Sequence, residues 1–66
     1  MNDDFYVMQS DPANVGGAYV VRGFDTAREA RQNCASACGQ YVVDGETARR
    51  WYDANIAPYY RDKGHS

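Results

Sequence analysis

Ala18-Tyr19-Val20-Val21-Arg22-Gly23-Phe24-Asp25-Thr26-Ala27-Arg28-Glu29-Ala30 reads as a strand that runs through a turn into a helix. Residues 18–22 are aromatic and β-branched at their centre, and Gly23-Phe24 closes the run. Asp25 or Thr26 then caps the helix, and Thr26 followed three residues later by Glu29 has the pattern of a capping box. Upstream, Phe5-Tyr6-Val7-Met8-Gln9 predicts a first strand. Ser10 to Gly17 is turn chemistry throughout, with Pro12 and the pair Gly16-Gly17, so residues 5–22 form a hairpin with a long loop. Downstream, the helix is expected to run to about Cys38 and stop at Gly39. Gln40-Tyr41-Val42-Val43 is a short third strand. Asp44 can cap a second helix, Glu46 to about Ala57, which Pro58 ends or kinks before a tail.

The order is ββαβα. It predicts an α+β fold in a single small domain, residues 1–66, ordered over about 5–60 with short flexible ends. Its three-stranded sheet would carry both helices on one face and leave the other open. A crossover between the second and third strands should be right-handed if they share a sheet. Alternation puts Tyr6 and Met8 on one side of the first strand, with Phe5, Val7 and Gln9 on the other. Tyr19 and Val21 likewise oppose Ala18, Val20 and Arg22. The open face, with Tyr6, Tyr19 and nearby Arg22, is the expected place for a partner.

The chain has 66 residues and a hydrophobic fraction of 44%, yet no Leu and a single Ile. A chain this short buries only roughly 60% of its unfolded surface. Six Tyr and one Trp supply rings in place of the missing aliphatics, and the net charge of −2 is too small to hold the chain open. The core should therefore consist of Val, aromatic rings and closely packed Ala. Ala27, Ala30, Cys34 and Ala37 or Cys38 recur at helical spacing, a small-residue stripe that lets the first helix approach the sheet.

Several function classes recede on composition. The longest run without polar or charged residues is Val15 to Val21, far short of the ~20 residues of a membrane span. Asn2, Asp3 and Asp4 place acid where a signal peptide carries base, so the expectation is a cytoplasmic protein. Cys34 and Cys38 are four apart on one predicted helix, which does not aim them into disulfide geometry. Cys34 is expected as a buried, reduced packing residue, with Cys38 the more reactive thiol. Zinc would need two further ligands, and only His65 offers an obvious one. His65 is also the one imidazole available as a base, and it sits in the tail. The acids Asp25, Glu29, Asp44 and Glu46 lie at predicted helix starts, where capping and the helix dipole explain them. The residues thus suggest no enzyme, no cofactor and no metal site.

What rises above this background is surface chemistry. Trp51, Tyr52, Tyr59 and Tyr60 crowd the C-terminal end with Arg49, Arg50 and Arg61. Trp51 and Tyr52 are expected in the core, whereas Tyr60, Arg50 and Arg61 are interface candidates, since Tyr, Trp and Arg dominate binding hot spots. Glu46 with Arg50 and Arg49 with Asp53 are i,i+4 pairs.

Residues 17–30 resemble the strand-then-helix segment of RNA-recognition motifs. Gly16, Ala18, Tyr19 and Val20 fall on matching positions; Val15, Gly17 and Arg22 replace a basic residue and two stacking aromatics. That resemblance implies a nucleic-acid-binding module using Tyr19, Arg22, Arg28, Arg31, Arg49 and Arg50. A pI near 5.0 opposes it. In scale and style the chain is similar to the small accessory proteins of phages and mobile elements, including the anti-CRISPR inhibitors. That likeness implies a non-enzymatic inhibitor that blocks a surface of a larger host protein or complex. Acidic residues would there stand in for phosphates, the candidates being Asp3, Asp4, Asp11, Asp44, Glu46 and Asp53. A homodimer formed through the open sheet face or the third strand's edge is also expected, because a core this small gains from assembly.

Overall fold

The computed structural model describes the backbone of residues 3–64 and the side chains of residues 3–60. The chain forms β1 (Phe5–Ser10), β2 (Ala18–Phe24), α1 (Ala27–Gln32), β3 (Gln40–Asp44), α2 (Gly45–Asn55) and α3 (Ala57–Gly64), with short 3-10 turns at Val15–Gly17 and Ser36–Cys38. This is the expected α+β fold with a three-stranded sheet. The strand order is β2-β1-β3, and β1 runs antiparallel to both neighbours. The connection through α1 therefore crosses over the central strand.

β1 pairs with β3 in even register, Val7 opposite Val42 and Gln9 opposite Gln40. The pairing with β2 is interrupted. Val7 faces Arg22 but Met8 faces Val20, so Val21 is an extra residue in a β-bulge. Directly paired residues share a face, so the bulge puts Val20 and Ala18 on the side of Met8 and Arg22 on the side of Val7. Simple alternation had grouped Arg22 with Ala18 and Val20. The bulge breaks that grouping, and the Arg22 guanidinium lies over the Phe24 ring, 5.0 Å from its centroid.

The layering also departs from the expectation of two helices on one face. Tyr6, Val7 and Met8 are consecutive and all buried, at 4%, 1% and 2% exposure. Successive side chains of a strand point to opposite faces, so both faces of β1 are covered. Val7 clusters with Phe24 and with Ala30 of α1, flanked by Phe5, Cys34 and Val42. Tyr6 and Met8 belong to the other face, where α2 packs on β1, β3 and the Val15–Gly17 turn. Ala30 and Ala48 are fully buried, and each lets its helix approach closely. Tyr6 is consequently a core residue and not part of an open binding face; its hydroxyl accepts a hydrogen bond from the Asp3 backbone N–H at 2.9 Å.

α1 stops at Gln32, six residues before the expected Cys38. Asn33 ends it by donating from Nδ2 to the Glu29 carbonyl at 2.9 Å, a side chain competing for helix backbone. Two facing glutamines then hold the following segment. Gln40 Oε1 accepts from the Ala35 N–H at 2.9 Å, and Gln9 Nε2 donates to the Cys38 carbonyl at 2.8 Å. Gly39 closes the segment in the left-handed conformation, as expected. As expected of an end or kink near Pro58, α2 stops at Asn55, but helical structure resumes in α3. Pro58 is the second residue of α3, where a missing N–H removes no intrahelical bond. α3 reaches Gly64 where a tail was expected, and His65 lies outside the described residues.

Candidate functional site

Thr26 caps α1: its Oγ1 accepts from the Glu29 N–H, as in a capping box, and its hydroxyl rather than its backbone N–H donates to the Glu29 carboxylate. The loop before β2 is held by its own side chains. Asp11 Oδ1 accepts from the Ala13 N–H, and Asn14 Nδ2 donates to the carbonyls of Val15 and Ala18. These bonds shape the turn, which α2 then clamps. The Trp51 indole Nε1 donates to the Gly16 carbonyl at 3.2 Å, and Asn55 Nδ2 donates to the Trp51 carbonyl at 2.9 Å.

The clamped turn forms one wall of a groove of about 260 Å³ lined by Asn14, Tyr19, Val20, Trp51, Tyr52, Ile56 and Tyr60. Its lining therefore comes from the turn, from β2, from α2 and from α3. The chain bends at Ile56, between α2 and α3, while Ile56 still donates to the Tyr52 carbonyl at 2.8 Å. Tyr60, one turn further on, donates its N–H to the Ile56 carbonyl at 3.0 Å. The Tyr59 ring packs edge-on against Tyr60, with centroids 5.4 Å apart. Tyr19, Tyr52 and Tyr60, all among the lining residues, remain 43%, 39% and 64% exposed.

The structure brings together Tyr19 and Tyr60 among the sequence-predicted binding residues. Tyr6 is buried elsewhere, and Arg22 lies over Phe24. Arg50 bonds Glu46, and Arg49 Nε lies 3.9 Å from Asp53, both pairs on the exposed surface of α2. Such exposed pairs contribute little to stability, but they occupy the charges concerned. Asp44 is the N-cap of α2: its Oδ1 accepts from the Thr47 N–H at 2.7 Å. The Thr47 hydroxyl and then its N–H hold the Asp44 carboxyl below the usual aspartate range, with a smaller contribution from the Arg50 charge. The backbone of Arg61 lies in α3, and its side chain lies outside the described ones.

Sequence reasoning missed Tyr52, Ile56, Val20 and Asn14 as groove residues and placed Trp51 and Tyr52 in the core. Trp51 is half-buried and Tyr52 exposed. The signal that could have found Tyr52 and Ile56 is the i,i+4 repeat Ala48, Tyr52, Ile56, of which Ala48 alone is fully buried.

Cys34 is half-buried against the α1 cluster and Cys38 is exposed, neither joined in a disulfide. Among the described residues, no three His, Cys, Asp or Glu gather where they could hold a metal ion, and no helix is long and apolar enough to cross a membrane. Comparison of the chain with protein-family models, with curated proteins and with solved structures returns no match.

Proposed function

We propose that this protein is a non-enzymatic binding module that docks on a larger protein through the groove between β2 and the α2–α3 bend. The observation that carries this reading is the gathering of Tyr19, Trp51, Tyr52 and Tyr60 around one recess. Binding hot spots are enriched in such rings, because they supply large contact area at low entropic cost. An inhibitor that occupies a surface of a host protein, in the manner of the small phage proteins, is the form of this function that size and mild acidity favour. The nucleic-acid alternative has less support. Arg28 and Arg31 belong to α1, on the opposite face of the sheet from Arg49 and Arg50, and the latter two are paired with acids. The proposed homodimer would use the outer edge of β3, which the strand order leaves without a neighbour. A monomer mass by light scattering across micromolar concentrations removes that part of the proposal.

The test of the docking reading is affinity capture from a bacterial lysate with three proteins. These are the wild type, the double variant Tyr19→Ala/Tyr60→Ala, and Tyr41→Ala, an exposed ring outside the groove. One protein should co-purify in fixed ratio with the wild type and with Tyr41→Ala and be lost with the double variant. Equal capture by all three, or no specific capture, overturns the reading.

A further inference from the structure

We infer that the groove receives one cationic side chain of the protein partner, an arginine or a lysine; this rests on the groove being the docking surface. Four aromatic residues, Tyr19, Trp51, Tyr52 and Tyr60, contribute to its lining, and no charged side chain among the described ones does. Aromatic rings carry negative potential on their faces and attract a cation, most strongly at Trp and Tyr. The chain's own described cations near this end are engaged elsewhere, Arg49 with Asp53 and Arg50 with Glu46. Arg22, on the far side of the β2 bulge, already makes such a contact with Phe24 at 5.0 Å. Size points the same way. A recess of about 260 Å³ is below the ~300–1,000 Å³ of pockets for drug-sized molecules, and it suits the end of one side chain. Charge agrees as well: nine Asp and Glu against seven Lys and Arg leave the chain at −2, which favours a basic partner surface. Tyr59 packs edge-on against Tyr60, the most exposed residue of the four.

The experiment uses the full chain and three capped pentapeptides, Gly-Gly-X-Gly-Gly with X as arginine, lysine or citrulline. Citrulline keeps the shape of arginine without its charge. Trp51 is the only tryptophan, so its emission reports on the groove, and ring-proton shifts of the tyrosines map the site. The arginine or lysine peptide should bind roughly two- to five-fold more tightly than citrulline, the ratio expected of an exposed cation–aromatic contact. The ring shifts should be confined to the groove residues, and the preference should vanish in Tyr19→Ala/Tyr60→Ala protein. Equal binding of citrulline overturns the cationic inference and leaves the docking reading standing. Failure of all three peptides to shift any groove resonance also overturns it, whereas the capture experiment decides the docking reading separately. Should the double variant not fold, the arginine-to-citrulline ratio and the shift map of the wild type still decide.

Discussion

The indole Nε1 of Trp51 donates to the carbonyl of Gly16, and that bond ties helix α2 to the turn that precedes β2. The two residues are 35 apart in sequence, and their contact holds the turn wall of the groove against α2. Gly16 fits because it has no side chain. A Cβ at this position would lie 2.8 Å from the Cβ of Asn55 and 3.0 Å from the Trp51 nitrogen.

Gly16→Ala should therefore be costly for two reasons. Its φ of +81° is left-handed, which costs an L-residue about 1–2 kcal/mol. The contact with Asn55 then adds to that, because Cβ and helix backbone cannot yield as a flexible side-chain end would. Gly17→Ala is the control. Its φ is +75° but nothing lies near its Cβ, so only the backbone part applies. Urea unfolding of both should place Gly16→Ala clearly below Gly17→Ala, with altered Trp51 emission in the native state of the former alone. Matching midpoints would show that the turn does not press on α2.

The strands, their sequence and the helix N-caps were legible because each rests on local chemistry. Thr26 with Glu29 and Asp44 with Thr47 make the bonds their spacing implies. What was not legible depends on partners distant in sequence. Asn33 ends α1 by a local bond, but nothing within residues 34–38 says that Gln9 and Gln40 will take the backbone groups of Ala35 and Cys38 and hold that segment out of a helix. The bulge at Val21 was equally hidden, since only the pairing with β1 defines it. Burial of Tyr6 followed from the same kind of omission. The run Tyr6-Val7-Met8 is apolar on both faces, a pattern of a strand covered on both sides, but it was read as alternation.

Asp44 provides a pH prediction. Its hydrogen bonds to Thr47 hold its carboxyl below the ordinary 3.8. A carboxyl with a depressed native pKa stabilises the fold above the unfolded value, and that stabilisation is lost as pH falls from there through the native value. Asp44→Ala should thus lower stability at neutral pH and flatten the acid limb of the stability curve. Asp44→Asn should keep most of the neutral-pH stability, since Asn caps helices about as well, while removing the same titration. Unfolding measured from neutral pH down to about pH 2 checks both. An acid limb unchanged in Asp44→Asn would assign it to other carboxylates.

The two thiols should behave differently. Cys34 packs against the cluster of Val7, Phe24 and Ala30, whereas Cys38 is exposed beside the left-handed Gly39. A thiol reagent should label Cys38 first under native conditions, and Cys34 only as the segment after α1 opens. Cys34→Ser should cost about 1 kcal/mol, the low end for an incompletely paired hydroxyl because the site is half-buried. Cys38→Ser should stay within about 0.5 kcal/mol of wild type, as for ordinary surface changes. Mass spectrometry of partially labelled protein gives the order, and equal rates would mean that the Cys34 side chain is not held in the cluster.

Ala30 and Ala37 were read as members of one small-residue stripe, and the structure separates them. Ala30 is fully buried under α1, against Val7 and Phe24. Ala37 lies in the Ser36–Cys38 turn and is exposed, because α1 has already ended. Only the first position therefore demands a small side chain. Ala30→Leu should destabilise by roughly 1–3 kcal/mol through overpacking, since α1 can accommodate the added volume only by lifting from the sheet. Ala37→Leu should change stability by no more than about 0.5 kcal/mol, as expected for a surface residue. Thermal unfolding of the two variants distinguishes the arrangements. A loss at Ala37 as large as that at Ala30 would mean that the helix continues to Cys38 and buries both.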